Sequence, residues 1–385
     1  MSMPYLQQAR IARGLSLEDL AGTIGNAVSR QTLKNYEAGI TRPGATILSL
    51  LAKALQVSTA DLLRGPDFRC EHIAYRKKAR LPKKEAASIE AQVIQEVNRR
   101  CWVQSRCLPG QRIEPVRGRF KNLTADNLEL ATVKLRKDWG LGISPIRNLV
   151  DELEGHSVHV ITLTTHEDFD GLSSVAIDSQ GQPYAYSVAI KKETSMERQR
   201  FSMAHELGHI LFDSTDEPAA HAFAGAFLVP QEELKKMLGD KRNRIKKEEW
   251  LALKRYFGVS MQALIRRAKD CGIIQEDSYR FWNTVLHRKK EENDTPACEV
   301  STWMLRTVMR GYAEGVFSKS KAEELLGKQM HGESLEMKAR QDIRQMSPDE
   351  RRQLMAKQAV LAVEDYSSPE FNESAEPGEV FDDYA

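Results

Sequence analysis

Long apolar runs are missing from this chain. No uninterrupted stretch approaches the roughly 18 residues that a membrane span requires, so no membrane association is expected. Paired cysteines are missing too. Cys70, Cys101, Cys107, Cys271 and Cys298 are odd in number and show no Cys-x-x-Cys spacing, which argues against a structural zinc finger and a secreted disulfide framework. Nor is there an excess of charge of one sign. With 56 basic and 54 acidic residues the net charge is +2, so any attraction to nucleic acid must come from a local patch. Met1 to Pro4 run straight into a helical pattern without a charged and then apolar leader, and the cytoplasm is the expected compartment. From Glu364 onward Lys and Arg disappear, and residues 363–385 read as a disordered acidic tail.

What the chain does hold is a His-Glu-x-x-His motif, His205-Glu206-Leu207-Gly208-His209, inside an apolar, helix-forming run. Residues four apart share a helix face, so His205 and His209 can present two imidazoles to one zinc ion, with Glu206 placed as general base. Zinc needs a third protein ligand, leaving the fourth position for water. Glu217 and His221 are the candidates, on a second helix whose first turn suits Pro218 and whose Phe223, Phe227 and Leu228 pack on the motif helix. Asp213 is a weaker rival, one turn beyond His209. His156, His159 and His166 are read as structural or solvent-facing.

These residues resemble the ImmA/IrrE family of zinc metallopeptidases over about Leu135 to Ile274. The likeness rests on Trp139-Gly140-Leu141-Gly142, Phe169-Asp170-Gly171-Leu172-Ser173, the run from Arg198 to His209, the Phe-Leu-Val-Pro stretch ending at Pro230, and Tyr256 to Leu264. It implies a zincin-like α+β domain and Glu217 as third ligand, with His221 standing where the family has asparagine.

A second pattern fills the N-terminus. Leu6, Leu20, Ile24, Leu33, Leu48, Leu51, Leu55 and Leu62 are spaced as the core of five short helices, with Ser16, Ser29 and Ser58 at helix N-caps. The pattern resembles the XRE (Cro/repressor-like) helix-turn-helix, except that Gly25-Asn26-Ala27-Val28 lengthens the turn by about two residues. The resemblance implies that Ser29, Arg30, Gln31, Thr32, Lys34 and Asn35 form the DNA-reading face, with the first residues of the helix in the major groove. Readers of this kind normally dimerise, so a homodimer is expected.

The fold class expected is mainly α with a small α+β domain: an N-terminal five-helix bundle, a zincin-like metallopeptidase domain and a C-terminal helical extension. The boundaries follow as 1–66 for the DNA-binding domain, 67–130 for a basic linker and helical arm, 131–282 for the peptidase domain, 283–362 for the extension and 363–385 for the tail. Within the second segment, Tyr75 to Lys84 reads equally as a basic patch or an exposed linker, and Glu85 to Trp102 as an amphipathic helix. Alternation predicts strands at 157–163, 174–178 and 184–190, forming a sheet whose edge can hold an extended peptide. The combined expectation is a regulator that binds double-stranded operator DNA and, with zinc, cleaves a repressor-like protein or itself. It would control a stress, mobile-element or toxin–antitoxin locus. The rival is a non-catalytic antitoxin or autorepressor whose metallopeptidase-like domain docks and neutralises a toxin protein.

Overall fold

The computed structural model describes residues 4–77, 80–111, 113, 116–120, 125–242, 244–288 and 297–327. The expected acidic tail and the extension beyond 327 lie outside the described residues. In chain order the elements begin with α1 (Pro4–Ala12), α2 (Leu17–Thr23), α3 (Arg30–Glu37), α4 (Ala45–Leu55) and α5 (Thr59–Arg64). These five close around fully buried Leu6, Leu20, Leu33, Leu51 and Leu55. Ser16, Ser29 and Ser58 each accept a hydrogen bond from a backbone N–H in the first turn of the helix they precede. Arg10 ties α1 to the end of α3, donating to both carboxylate oxygens of Glu37 at 2.7 and 3.0 Å.

β1 (Arg69–Lys77), α6 (Lys83–Cys107), α7 (Ala125–Asp138), α8 (Leu149–Gly155), β2 (Val158–Leu163), β3 (Phe169–Ile177) and β4 (Pro183–Lys191) follow. The sheet order is β1-β3-β4-β2, with β2 parallel to β4 and the other pairs antiparallel. Two corrections arise here. The segment read as basic patch or linker contributes an edge strand over 69–77, charged as strands at a sheet margin tend to be. The second is β3, which starts at Phe169 rather than 174. Its residues are buried on both faces, between α6 on one side and the helical core on the other, so the polar–apolar alternation that marks a half-buried strand is absent.

The helical arm is longer than predicted and is no free arm. One side of α6 covers the sheet through Ala86, Ile89, Val93, Val97 and Cys101. Another seats the N-terminal bundle: Ser88 donates to the Ala12 carbonyl at 3.3 Å, and Arg13 to Gln95 Oε1 at 3.4 Å. Asn98 Oδ1 accepts from Phe68 N at 3.0 Å and holds the chain as it leaves the bundle for β1.

The chain continues through α9 (Met196–Phe212), α10 (Glu217–Leu228), α11 (Gln231–Leu238), α12 (Lys247–Phe257), α13 (Met261–Asp270), α14 (Glu276–Arg288), α15 (Trp303–Ala313) and α16 (Lys319–Leu326). Helix α14 spans the boundary expected at 282. Residues 297–303 then return across the domain. Glu299 pairs with Arg200 of α9 and accepts from the N–H groups of Leu149 and Val150, at 2.8 and 3.1 Å, at the start of α8. Ser301 donates to Glu154, which also receives Arg100 of α6 at 2.9 Å. Trp303 meets the His159 ring edge-on at 4.6 Å. Among the described residues, no helix is long and apolar enough to cross a membrane.

Arg200 is 3% exposed, and Glu299 is its carboxylate partner in this return segment. Glu299→Ala removes that partner and is expected to cost about 3–5 kcal/mol, the range for breaking a buried pair from one side. Urea denaturation of the two proteins measures it, and a change below about 1 kcal/mol would show that the pair behaves as a surface one.

Candidate functional site

Helix α9 begins at Ser195, whose side chain accepts from Arg198 N at 3.4 Å, and it is buried along almost its whole length. Small residues let it sink. At Gly208 a Cβ would lie 3.1 Å from a Phe223 ring carbon and 3.2 Å from Ala220 Cα, so α10 crosses closely at this point. The helix ends where Asp213 adopts a left-handed conformation (φ 49°). The chain then turns so that the Ser214 carbonyl receives a hydrogen bond from His209 Nδ1 at 2.7 Å. A carbonyl only accepts, so Nδ1 carries the proton and Nε2 keeps its lone pair.

Nε2 of His209 stands 3.0 Å from Nε2 of His205. Asp216 caps α10 by accepting from Ala219 N at 3.1 Å, which brings Glu217, the first residue of that helix, over the two rings. Its carboxylate oxygens lie 3.1 Å from His205 Nε2 and 3.5 Å from His209 Nε2. Among the described residues these three side chains form the one group of His, Cys, Asp and Glu able to hold a metal ion. Four-coordinate zinc with ligand bonds of about 2.0–2.2 Å sets its ligand atoms about 3.3 Å apart. The observed separations match that spacing, and the tautomer of His209 is the ligating one.

The other candidates fall elsewhere. His221 is exposed, with its ring against Phe201 at 4.8 Å and its centroid 6.4 Å from that of His205, and it lies outside the three-residue group. Asp213 turns to Arg117, 2.8 Å away. His156 stacks on Trp139 at 4.1 Å, and His166 Nδ1 accepts from Asp168 N. His159 bonds to Gln104, and burial beside Arg100 pushes its pKa down to about 3, which keeps it neutral.

Glu206 is fully buried and faces β3, where Gly171 makes room for it. A Cβ at Gly171 would fall 2.3 Å from Glu206 Oε1 and 2.8 Å from its carboxyl carbon. No functional role for Gly171 follows from the sequence motif alone. A glycine inside a strand often marks close approach by another group, but the strand expected from sequence began at 174 and left Gly171 outside it.

In the N-terminal bundle the turn between α2 and α3 covers residues 24–29, with Gly25 (φ 67°) and Asn26 (φ 55°) both left-handed. Arg30, Gln31 and Lys34 are exposed on α3, while Leu33 and Tyr36 face the core. Ser29 is engaged in capping, and its hydroxyl also meets that of Thr32 at 2.9 Å. Gln31 donates to Asn35 at 3.2 Å, so these two side chains are held in register along the outer face.

Two family models match the chain: Helix-turn-helix over residues 6–62 and IrrE N-terminal-like domain over residues 154–269. The chain joins a DNA-binding helix-turn-helix domain to an IrrE-like, metallopeptidase-like domain. Among curated proteins no match is found. The IrrE-like match opens in α8 and closes in α13, so it takes in β3, α9 and α10, which carry Gly171, His205, Glu206, His209 and Glu217. Strand β1 and helix α6 lie between the two matched segments.

The Gly171 contact sets up a two-residue test. Gly171→Ala drives a methyl group into the Glu206 carboxylate and is expected to lower the unfolding temperature by several degrees, the range for overpacking by about 1–3 kcal/mol. Gly171→Ala combined with Glu206→Ala removes the clashing carboxylate and recovers part of that loss. Strictly additive losses would show that the two residues do not touch.

Proposed function

We propose that the chain is a DNA-binding transcriptional regulator whose IrrE-like domain is a zinc-dependent endopeptidase acting on a repressor-like protein, or on the chain itself. The observation that carries this reading is the convergence of His205 Nε2, His209 Nε2 and the Glu217 carboxylate, with Glu206 one residue along the same buried helix. When bound, zinc supplies Lewis-acid polarisation and makes a water acidic near neutral pH. His205, His209 and Glu217 hold it. The Ser214 carbonyl orients the His209 ring. Glu206 accepts a proton as water adds to the peptide carbonyl, and returns it to the leaving amine. Its burial against Gly171 restricts the carboxylate, and a domain used only for docking has no chemical need for Glu206.

The test uses full-length protein. Elemental analysis is expected to find about one zinc per chain, lost in His205→Ala/His209→Ala, weakened in Glu217→Ala and kept in His221→Ala. Glu206→Gln keeps metal and fold while cleavage of the neighbouring gene's product stops. Unchanged zinc in the double histidine variant would remove the enzyme reading. Cleavage continuing at the same rate in Glu206→Gln would remove its general base. Zinc retained without cleavage of any neighbouring product would favour the antitoxin-like docking role instead.

For the N-terminal domain the proposed readers are Arg30, Gln31 and Lys34, the exposed side chains at the start of α3, supported by Ser29, Thr32 and Asn35. A base-reading contact is worth about 1–3 kcal/mol of discrimination. Gln31→Ala is therefore expected to weaken binding to the chain's own promoter roughly ten-fold and relax sequence preference. Lys34→Ala should lower affinity for any sequence and flatten the salt dependence. Binding isotherms at several salt concentrations check both, and affinities unchanged in the two variants would assign α3 to a protein partner.

A further inference from the structure

Strand β3 passes close to Glu206, since a Cβ at Gly171 would stand 2.3 Å from its carboxylate oxygen. Strands in a sheet lie about 4.7–4.9 Å apart, so a peptide paired directly with β3 passes beside Glu206, and one further out is displaced by roughly another 5 Å. One flank of β3 is taken by β4 and the other by β1. The position of closest approach is thus held by the chain's own residues 69–77, antiparallel to β3, with Arg76 opposite Gly171 and Lys77 opposite Phe169.

Strand β1 is not an ideal partner for β3. Its register shifts twice, between His72 and Ala74 and again between Arg76 and Lys77. Each irregularity interrupts the ladder. The pairing of β3 with β4 shifts once, between Ala176 and Ile177 at the far end from Gly171. Just past β1, the exposed Arg80 reaches the buried Asp168 carboxylate at 3.0 Å and fastens the end of the strand beside the site. Arg80 thus stands four positions after Arg76, the residue paired with Gly171, and its side chain meets an acidic anchor.

We infer that the margin of β3 beside Glu206 is a docking site for an extended polypeptide segment, and that β1 is a resident strand which such a segment displaces. Main-chain hydrogen bonds to β3 give the incoming segment its affinity. Asp168 selects for Arg or Lys about four residues beyond the one that faces Gly171. Only the fate of the bound segment rests on the peptidase reading; its binding does not.

The experiment uses full-length protein carrying Glu206→Gln, so that no bond is cut, and a fluorescent synthetic peptide with the sequence of residues 69–80. Ala74→Pro weakens β1 in the ladder, because proline has no N–H to donate. The peptide is expected to bind this variant at least ten-fold more tightly than the parent by anisotropy, and to protect the amides of residues 171–177 from hydrogen exchange. Arg80→Ala acts in the same direction by releasing the end of β1. A peptide with alanine in place of its own final arginine loses several-fold affinity for either variant. If Ala74→Pro does not fold, Arg80→Ala carries the comparison alone, since Arg80 is largely exposed. Equal peptide affinity for the parent and the folded variants would overturn the inference. Failure of protein with Glu206 intact to cleave any substrate would overturn the peptidase reading and leave this result standing.

Discussion

Helix α9 carries Glu197, Arg200, His205, Glu206 and His209, and all five are at least 95% buried. A polar group taken out of water must meet a partner or cost several kcal/mol, so the elements around α9 are arranged to supply partners. Lys254 of α12 approaches Glu197 at 3.5 Å. Glu299 and the Ile146 carbonyl take Arg200. The Ser214 carbonyl takes His209, and Glu217 closes over both imidazoles. These partners come from the segment before α8, from just after the helix, from α12 and from Glu299 beyond α14. Burying one charged helix therefore draws the whole domain together.

The same requirement explains why the segment after α14 is part of this unit. Residues 297–303 lie across α6, α8 and α9, and two of their side chains answer buried groups: Glu299 for Arg200, Ser301 for Glu154. Helix α6 has a similar standing. It is the floor of the sheet on one side and the seat of the helix-turn-helix bundle on another, with buried Ser88, Asn98, Arg100 and Gln104 each making a specific hydrogen bond. The bundle and the IrrE-like domain thus both pack against α6.

Much of the site was legible in sequence because its determinants are local. The four-residue spacing of His205 and His209, the cap and proline that start α10, and the serines that cap the bundle helices act over one helical turn. Of the two candidates for a third metal-facing group, geometry brings in Glu217, at the N-terminus of α10, and leaves His221 exposed one turn later. Spacing alone had left these two open, because the choice depends on how α10 crosses α9, and Gly208 sets that crossing.

Local pattern determined, then, the helices, their caps, the fusion of two kinds of domain and the histidine pair. Tertiary structure decided what depends on contacts between residues far apart in sequence. A run as charged as 69–77 becomes a strand only because β3 offers it a free ladder edge, and β3 itself is disguised by burial on both faces. Gly171 matters only because Glu206, 35 positions later, needs the volume its missing side chain leaves. Neither relation has a period that can be read along the chain, since each arises from two segments meeting in space.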